Sequence, residues 1–171
     1  CGGGQVARGS RLGILGIKDM HDTPFSATQY TSQLIEDQQA QNLGDVLVND
    51  PAIRNTYSRD AGRDEFNIRG FTLFNYDISF NGLYGMSPRD SSSLIGVERV
   101  DVLRGPNALL NGMAPAGSVG GAINLVPKRA GPDPLNRVTL SYMEGGQFGS
   151  HVDLARRFGE NKEWGVRLNA I

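Results

Sequence analysis

The sequence predicts an α+β domain of short strands and short helices, followed by a run of amphipathic β-strands. Three observations predict this. Glycine makes up 23 of the 171 residues, about twice the usual share, and the glycines punctuate apolar segments instead of forming a low-complexity tract. Two short helix patterns with capping residues sit among strand-like runs of four to eight residues. Beyond residue 134 the texture changes to strict apolar/polar alternation, the period of a strand with one face buried or in lipid.

Residues 1–22 are Gly-rich and carry no sustained period, so they read as an extended or mobile arm. Residues 24–31 alternate and predict a short strand. Residues 32–41 are rich in helix formers, with Ser32 or Thr31 as the cap. Asn42-x-x-Asp45 opens a second helix that must close before Pro51. Short strands are predicted at 53–57, 65–69, 76–80, 97–103 and 122–126. Asn81-Gly82 marks a tight hairpin turn, because both central residues of that turn need positive φ. Residues 105–112 read as one short helix, with Pro106 in its first turn and Gly112 just past its end. The expected division is an arm over 1–22, a domain over 23–130 and a strand region over 131–171. The domain's sheet is expected from the segments near 25–30, 65–69, 76–84, 97–103 and 122–126.

In the last region Val138, Leu140 and Tyr142 alternate with polar residues, as do Val152 and Leu154, then Trp164, Val166, Leu168 and Ala170. The edge of a soluble sandwich and a lipid-out, lumen-in barrel wall give the same pattern. Three strands close neither kind of barrel. Exposed to water they form an aggregation-prone edge, so an antiparallel meander is expected only in the company of further strands.

The chain carries 17 basic and 18 acidic residues, net −1, which is not the basic footprint of a nucleic-acid binder. Of the basic residues 14 are Arg and 3 are Lys, a bias that suits planar, partly buried ion pairs. A single cysteine, Cys1, excludes an internal disulfide, and His21 and His151 are far apart. No apolar run approaches the ~18 residues of a membrane-spanning helix. The Gly-rich stretch 103–121 has no Walker or dinucleotide-binding spacing, Ser118 has no nucleophile elbow, and the acidic clusters lack metal-loop spacing. No catalytic residue, metal ligand or cofactor site is therefore assigned. Arg69 and Arg104 fall inside apolar strands, the second close to Glu98, Arg99 and Asp101. Charges so placed must be paired if buried.

The string from Thr23 to Ile53, then FNIRGF, an N-G-L-Y-G turn, and IGVERVDVLRGPNALLNGMAPAGSVGGAINLVPKRA together resemble the plug of TonB-dependent outer-membrane receptors, ferric-siderophore branch. The resemblance covers about residues 12–130. It implies a mixed four-stranded sheet with short helices, seated in the lumen of a 22-stranded antiparallel transmembrane barrel whose first strands are residues 131–171. It implies an outer-membrane location, with the plug inside the barrel and facing the periplasm. A ferric siderophore is the implied ligand, and TonB the implied partner through a box upstream of the arm. Arg69 and Arg104 match plug arginines that pair with barrel glutamates, with Glu98 close by. The ligand-facing loops would carry Tyr57 and Arg59, then Phe71, Thr72, Leu73 and Phe74, then Tyr84 and Met86. A siderophore saturates its iron, so aromatic faces, hydroxyls and a cation suffice. A plug for haem, cobalamin or a glycan, and a freestanding soluble binding domain, are the alternatives.

Overall fold

The structure, a computed structural model, describes residues 4–7, 9–11, 16–19, 22, 25–58 and 61–171. Part of the arm is paired. Gly9–Arg11 (β1) and Ile17–Asp19 (β2) form an antiparallel ladder. The Ala7 N–H bonds Gln29 O and the Thr31 N–H bonds Gln5 O, each at 3.1 Å, so residues 5–7 lie along Ser26–Thr31 (β3). Thr31 takes the cap position of the helix Ser32–Asp37 (α1), but its hydroxyl donates to Gly4 O at 2.7 Å. The helix stops four residues earlier than expected. Gln39 turns left-handed at φ 51°, and the Ala40 N–H bonds back to Ile35 O at 3.0 Å, a closure that ends helices.

Asn42 then caps Leu43–Leu47 (α2) as its spacing predicts. Its side chain accepts from the Asp45 N–H at 3.0 Å, and Asp45 accepts from the Asn42 N–H at 3.3 Å. Next come Ile53–Asn55 (β4), Glu65–Ile68 (β5), Phe71–Phe74 (β6), a 3-10 turn over Asn75–Asp77, and Ser79–Phe80 (β7). Val97–Arg104 (β8), the helix Ala108–Asn111 (α3) and Gly121–Pro127 (β9) complete this part. α3 starts after Asn107, two residues beyond Pro106, and Gly112 closes it at φ 77°.

The main sheet has the order β3-β8-β9-β7, with β7 parallel to β9 and the other pairs antiparallel. It is a mixed four-stranded sheet, as expected, but residues 65–69 are not in it. They belong to a second sheet, β4-β5-β6. Arg69-Gly70 is a left-handed two-residue turn (φ 51° and 88°), so β5 folds straight back on β6 with Phe66 opposite Leu73. That local partner displaces the distant one. Phe66, Ile68, Leu73 and Ile53 join Val100, Val102 and Ile123 of the main sheet and Leu43, Val46 and Leu47 of α2 in one core. The Asn81-Gly82 turn is present at φ 52° and 86°, with a reciprocal Phe80–Leu83 backbone pair at 2.9 and 3.0 Å.

The chain divides into units 1–127 and 128–171, three residues before the expected boundary. The shift has a cause. Lys128, Arg129 and Ala130 contact the second unit through Asp153, Arg167 and Arg157 respectively. That unit is an antiparallel meander of Leu135–Met143 (β10), Gln147–Phe158 (β11) and Trp164–Ala170 (β12).

Its two faces differ in chemistry. The registers put Val138, Leu140, Tyr142, Phe148, Leu154, Trp164, Val166 and Leu168 on one face, and all eight are exposed. The other face is polar, yet Asp153 there is 1% exposed. Asp153 accepts two bonds from Arg167, at 2.8 and 2.6 Å, with Lys128 Nζ at 3.5 Å. Apart from Asp153 and Ala155, most of the polar face is exposed as well.

Candidate ligand-binding apex and its charged support

The β5–β6 hairpin sorts the expected ligand residues. Phe71 pairs with Ile68 beside the turn, whereas Phe74 pairs with Glu65 at the open end. Three residues of extended chain separate them by about 10 Å. The Thr56 N–H bonds Glu65 O at 2.9 Å, which brings Tyr57 to the open end as well. Phe71 and Thr72 therefore lie at the opposite end of the hairpin from Tyr57 and Phe74, a correction to the expected single cluster. Phe71 packs where Gly120 passes: a Cβ on Gly120 would meet Ile68 O and lie 2.7 Å from Phe71 Cβ. Leu73 is corrected too. Period 2 turns it inward, and it is fully buried in the core.

Three loops are fastened together at the open end. The Asp64 N–H bonds Asp90 O at 2.6 Å, and the Asp64 carboxylate accepts from Ser91 Oγ at 2.8 Å and from the Ser92 N–H at 3.2 Å. Asn75 Nδ2 donates to Pro88 O at 2.8 Å, and Ser87 Oγ donates to Ile78 O at 2.8 Å. The surface so formed carries Tyr57 with the Arg63 guanidinium 5.3 Å from its ring centroid. Phe74 stacks on Tyr76 at 5.2 Å and 10°. A small, solvent-open cleft of about 30 Å³ lies beside Tyr57 and Arg63, walled by Asn42, Asn55, Asp64 and Glu65. Met86 is exposed and Tyr84 half-buried on the loop after β7. Burial, and then the nearby Asp77 carboxylate, push the Tyr84 phenol up. Aromatic faces with a guanidinium among them suit a planar or anionic organic ligand. Arg59 lies outside the described residues. Among the described residues no three His, Cys, Asp or Glu side chains gather as a metal site.

Below this surface Arg104 finds its counter-charge inside the same unit. Its Nε donates to Asp50 Oδ1 at 3.2 Å and its Nη2 to Asp50 Oδ2, a two-pronged ion pair. Nη1 reaches Ser26 Oγ at 3.2 Å and Nη2 reaches Thr28 Oγ1 at 2.8 Å. Asp50 is fully buried and also accepts from the Ala52 N–H at 3.0 Å. Burial, and then the Asp50 carboxylate, push the Tyr30 phenol up to about 12. The expected Glu98 partner is thus corrected. Glu98 is six residues back along β8, about 20 Å at the rise of a strand. Arg69, expected to be buried, is exposed at its left-handed turn, with one guanidinium nitrogen 3.8 Å from where a Cβ on Gly105 would stand.

Arg63, Tyr76 and Asp50 were not foreseen. An aromatic two residues after Phe74, at a strand end, was a usable signal for Tyr76. Asp50 and Arg104 are 54 residues apart, and no local pattern joins them.

Residues 19–119 match the family described as TonB-dependent Receptor Plug Domain. The chain is 47% identical over 169 residues to the ferrichrome receptor FcuA of Yersinia enterocolitica, covering 98% of this chain and 22% of that protein. It is 29% identical over 159 residues to the ferripyoverdine receptor of Pseudomonas aeruginosa, covering 89% of this chain and 18% of that protein. Among solved structures, BauA, the ferric preacinetobactin receptor from Acinetobacter baumannii, superposes with a TM-score of 0.92 at 49% identity, over 98% of this chain and 25% of that one. The chain thus spans about a fifth to a quarter of the relatives it matches. With its mixed sheet, short helices and the family match across more than half its length, the chain belongs to the TonB-dependent receptor plug domain family.

Proposed function

We propose that this chain is the plug, with the first wall strands, of an outer-membrane TonB-dependent receptor that takes up a ferric siderophore. The observation that carries the membrane part is the β10–β12 sheet. Its apolar face is open and its polar face holds the Asp153–Arg167 pair, the arrangement a lipid-facing barrel wall requires. In this reading residues 131–171 begin a 22-stranded barrel that encloses the plug. TonB engages a segment upstream of the arm, and Arg69 at its exposed turn meets barrel carboxylates.

The ligand part rests on the chemistry of the apex and on relatives named as ferrichrome, ferripyoverdine and ferric preacinetobactin receptors. Tyr57, Phe74, Tyr84 and Met86, joined by Arg63, form the ligand surface. The protein binds the chelate's organic face and supplies no ligand to its iron.

The test is equilibrium binding to the full-length receptor, read by fluorescence quenching, of ferric hydroxamate and ferric catecholate siderophores against haem and cobalamin. A ferric siderophore binds saturably, and Tyr57→Ala, Phe74→Ala and Tyr84→Ala combined weaken it while the plug stays folded. Haem or cobalamin binding in its place would change the ligand class. Unchanged siderophore affinity in the triple variant would move the site to the barrel loops.

A further inference from the structure

The main sheet carries a row of polar side chains on the face away from the core. Val100, Val102, Ile123 and Leu125 take the core side, and alternation turns Asp101 and Asn124 to the other. In register, Gln29 pairs with Asp101, Asp101 with Asn124, and Asn124 with Ser79, one polar residue from each of the four strands. Asn124 is bonded at both ends of its carboxamide. Its Nδ2 donates to Asp101 Oδ2 at 3.3 Å, and its Oδ1 accepts from Ser79 Oγ at 3.0 Å and from the Gly82 N–H at 2.8 Å. This orientation is forced, because a backbone N–H only donates and a carboxylate only accepts. Asp101 is held in turn, its Oδ1 accepting from Arg99 Nε at 2.8 Å.

The bond to Gly82 links this row to the apex. In the Asn81-Gly82 turn, Phe80 and Leu83 exchange the backbone bonds, which leaves the N–H groups of the two central residues to other partners. β9 takes both. The Asn81 N–H bonds Leu125 O at 2.8 Å, and the Gly82 N–H bonds the Asn124 side chain, 42 residues away in sequence. The strand leading into the turn could not hold it alone. β7 is only Ser79 and Phe80, in a parallel ladder with Asn124 and Leu125, and parallel pairing is the weaker kind per residue. Tyr84 and Met86 follow directly on this turn.

We infer that Asn124 is a positioning residue for the apex: its carboxamide holds the Gly82 N–H and is itself anchored by Asp101 and Arg99, so the middle of the main sheet sets where Tyr84 and Met86 stand. The effect on binding rests on the ligand reading above; the hold of Asn124 on the turn does not.

The test uses the full-length receptor and amide hydrogen exchange, without ligand first. Asn124→Ala should speed exchange at Gly82 by about three- to tenfold, the worth of one net hydrogen bond, with the β5–β6 hairpin amides unchanged. Asp101→Ala should speed it too, but should add less than about a factor of two once Asn124→Ala is present. No change at Gly82 in Asn124→Ala, or equal effects of Asp101→Ala in both backgrounds, would overturn the connection. Asn124→Asp alone sets two carboxylates face to face and should strip protection from the β8 and β9 amides. Adding Asp101→Asn exchanges donor and acceptor at the parent's net charge, and should restore both that protection and the slow exchange at Gly82. A double variant no better than Asn124→Asp would count against the pairing. A second arm measures binding of ferric hydroxamate and ferric catecholate siderophores. Asn124→Ala should weaken the one that binds by about threefold or more, since a loosened loop must be ordered on binding, and should add less than about a factor of two when Tyr84→Ala and Met86→Ala are already present. Equal weakening in both backgrounds would remove the positioning role. If neither siderophore binds the parent receptor, the ligand reading fails, and the ligand-free arm still decides the connection.

Discussion

Replacing Asp50 by Ala tests the charged support most severely. The substitution removes both bonds from Arg104, the bond from the Ala52 N–H and the carboxylate facing Tyr30. It leaves a guanidinium whose side chain is 12% exposed, held only by the Ser26 and Thr28 hydroxyls. Breaking one side of a buried pair costs about 3–5 kcal/mol. At about 1.4 kcal/mol per factor of ten, protection of the β3 and β8 amides should fall by about two to three and a half orders of magnitude. Hydrogen exchange on the intact receptor reads that change strand by strand. Asp50→Leu combined with Arg104→Met leaves no charge unpaired, so it should recover most of the loss. If Asp50→Ala speeds exchange by less than tenfold, the counter-charge of Arg104 lies elsewhere, in the barrel wall. If the double variant is no better than Asp50→Ala alone, the cost is a cavity and not a buried charge.

Further outcomes follow from the same geometry. The folded state holds the Tyr30 proton up to about pH 12, whereas the unfolded chain releases it near the ordinary value of about 10. Stability should thus be unaffected by this group below about pH 10 and fall by up to about 1.4 kcal/mol per pH unit above it; Tyr30→Phe should flatten that part of a urea-melt pH series. Gly120→Ala sets a methyl against Ile68 O and Phe71 Cβ. It should cost about 1–3 kcal/mol by overpacking, visible as faster exchange in the β5–β6 hairpin, and normal protection would show that the turn yields freely. Leu140→Arg puts a charge on the apolar face of β10 and should cost about 2–4 kcal/mol in the bilayer, lowering the yield of heat-resistant folded receptor. Thr139→Arg on the opposite face should be tolerated, and equal yields would contradict the assignment of faces.

What the sequence made legible was local. The Asn42/Asp45 box needs only its own spacing, and Asn81-Gly82 announces a left-handed turn because both residue types favour it. Arg69-Gly70 makes the same turn, but Arg69 reads as the last residue of the 65–69 strand, since Arg seldom takes positive φ. That one misreading moved β5 into the wrong sheet and placed Phe71 beside Phe74 instead of at the other end of the hairpin. Leu73 and Phe74 illustrate a second limit. Alternation says that neighbours face opposite sides but not which side is the core, and here the core took Leu73. The Asp50–Arg104 pair required tertiary closure over 54 residues.

Radioiron uptake by iron-starved cells, with and without a functional TonB and with the full-length receptor as the only ferric-siderophore route, tests the central claim most directly. The account predicts saturable, TonB-dependent accumulation of iron from a ferric siderophore, reduced by the combined Tyr57, Phe74 and Tyr84 substitutions at unchanged receptor levels. Accumulation that persists without TonB, or no accumulation from a ferric siderophore that the purified receptor binds, would contradict it.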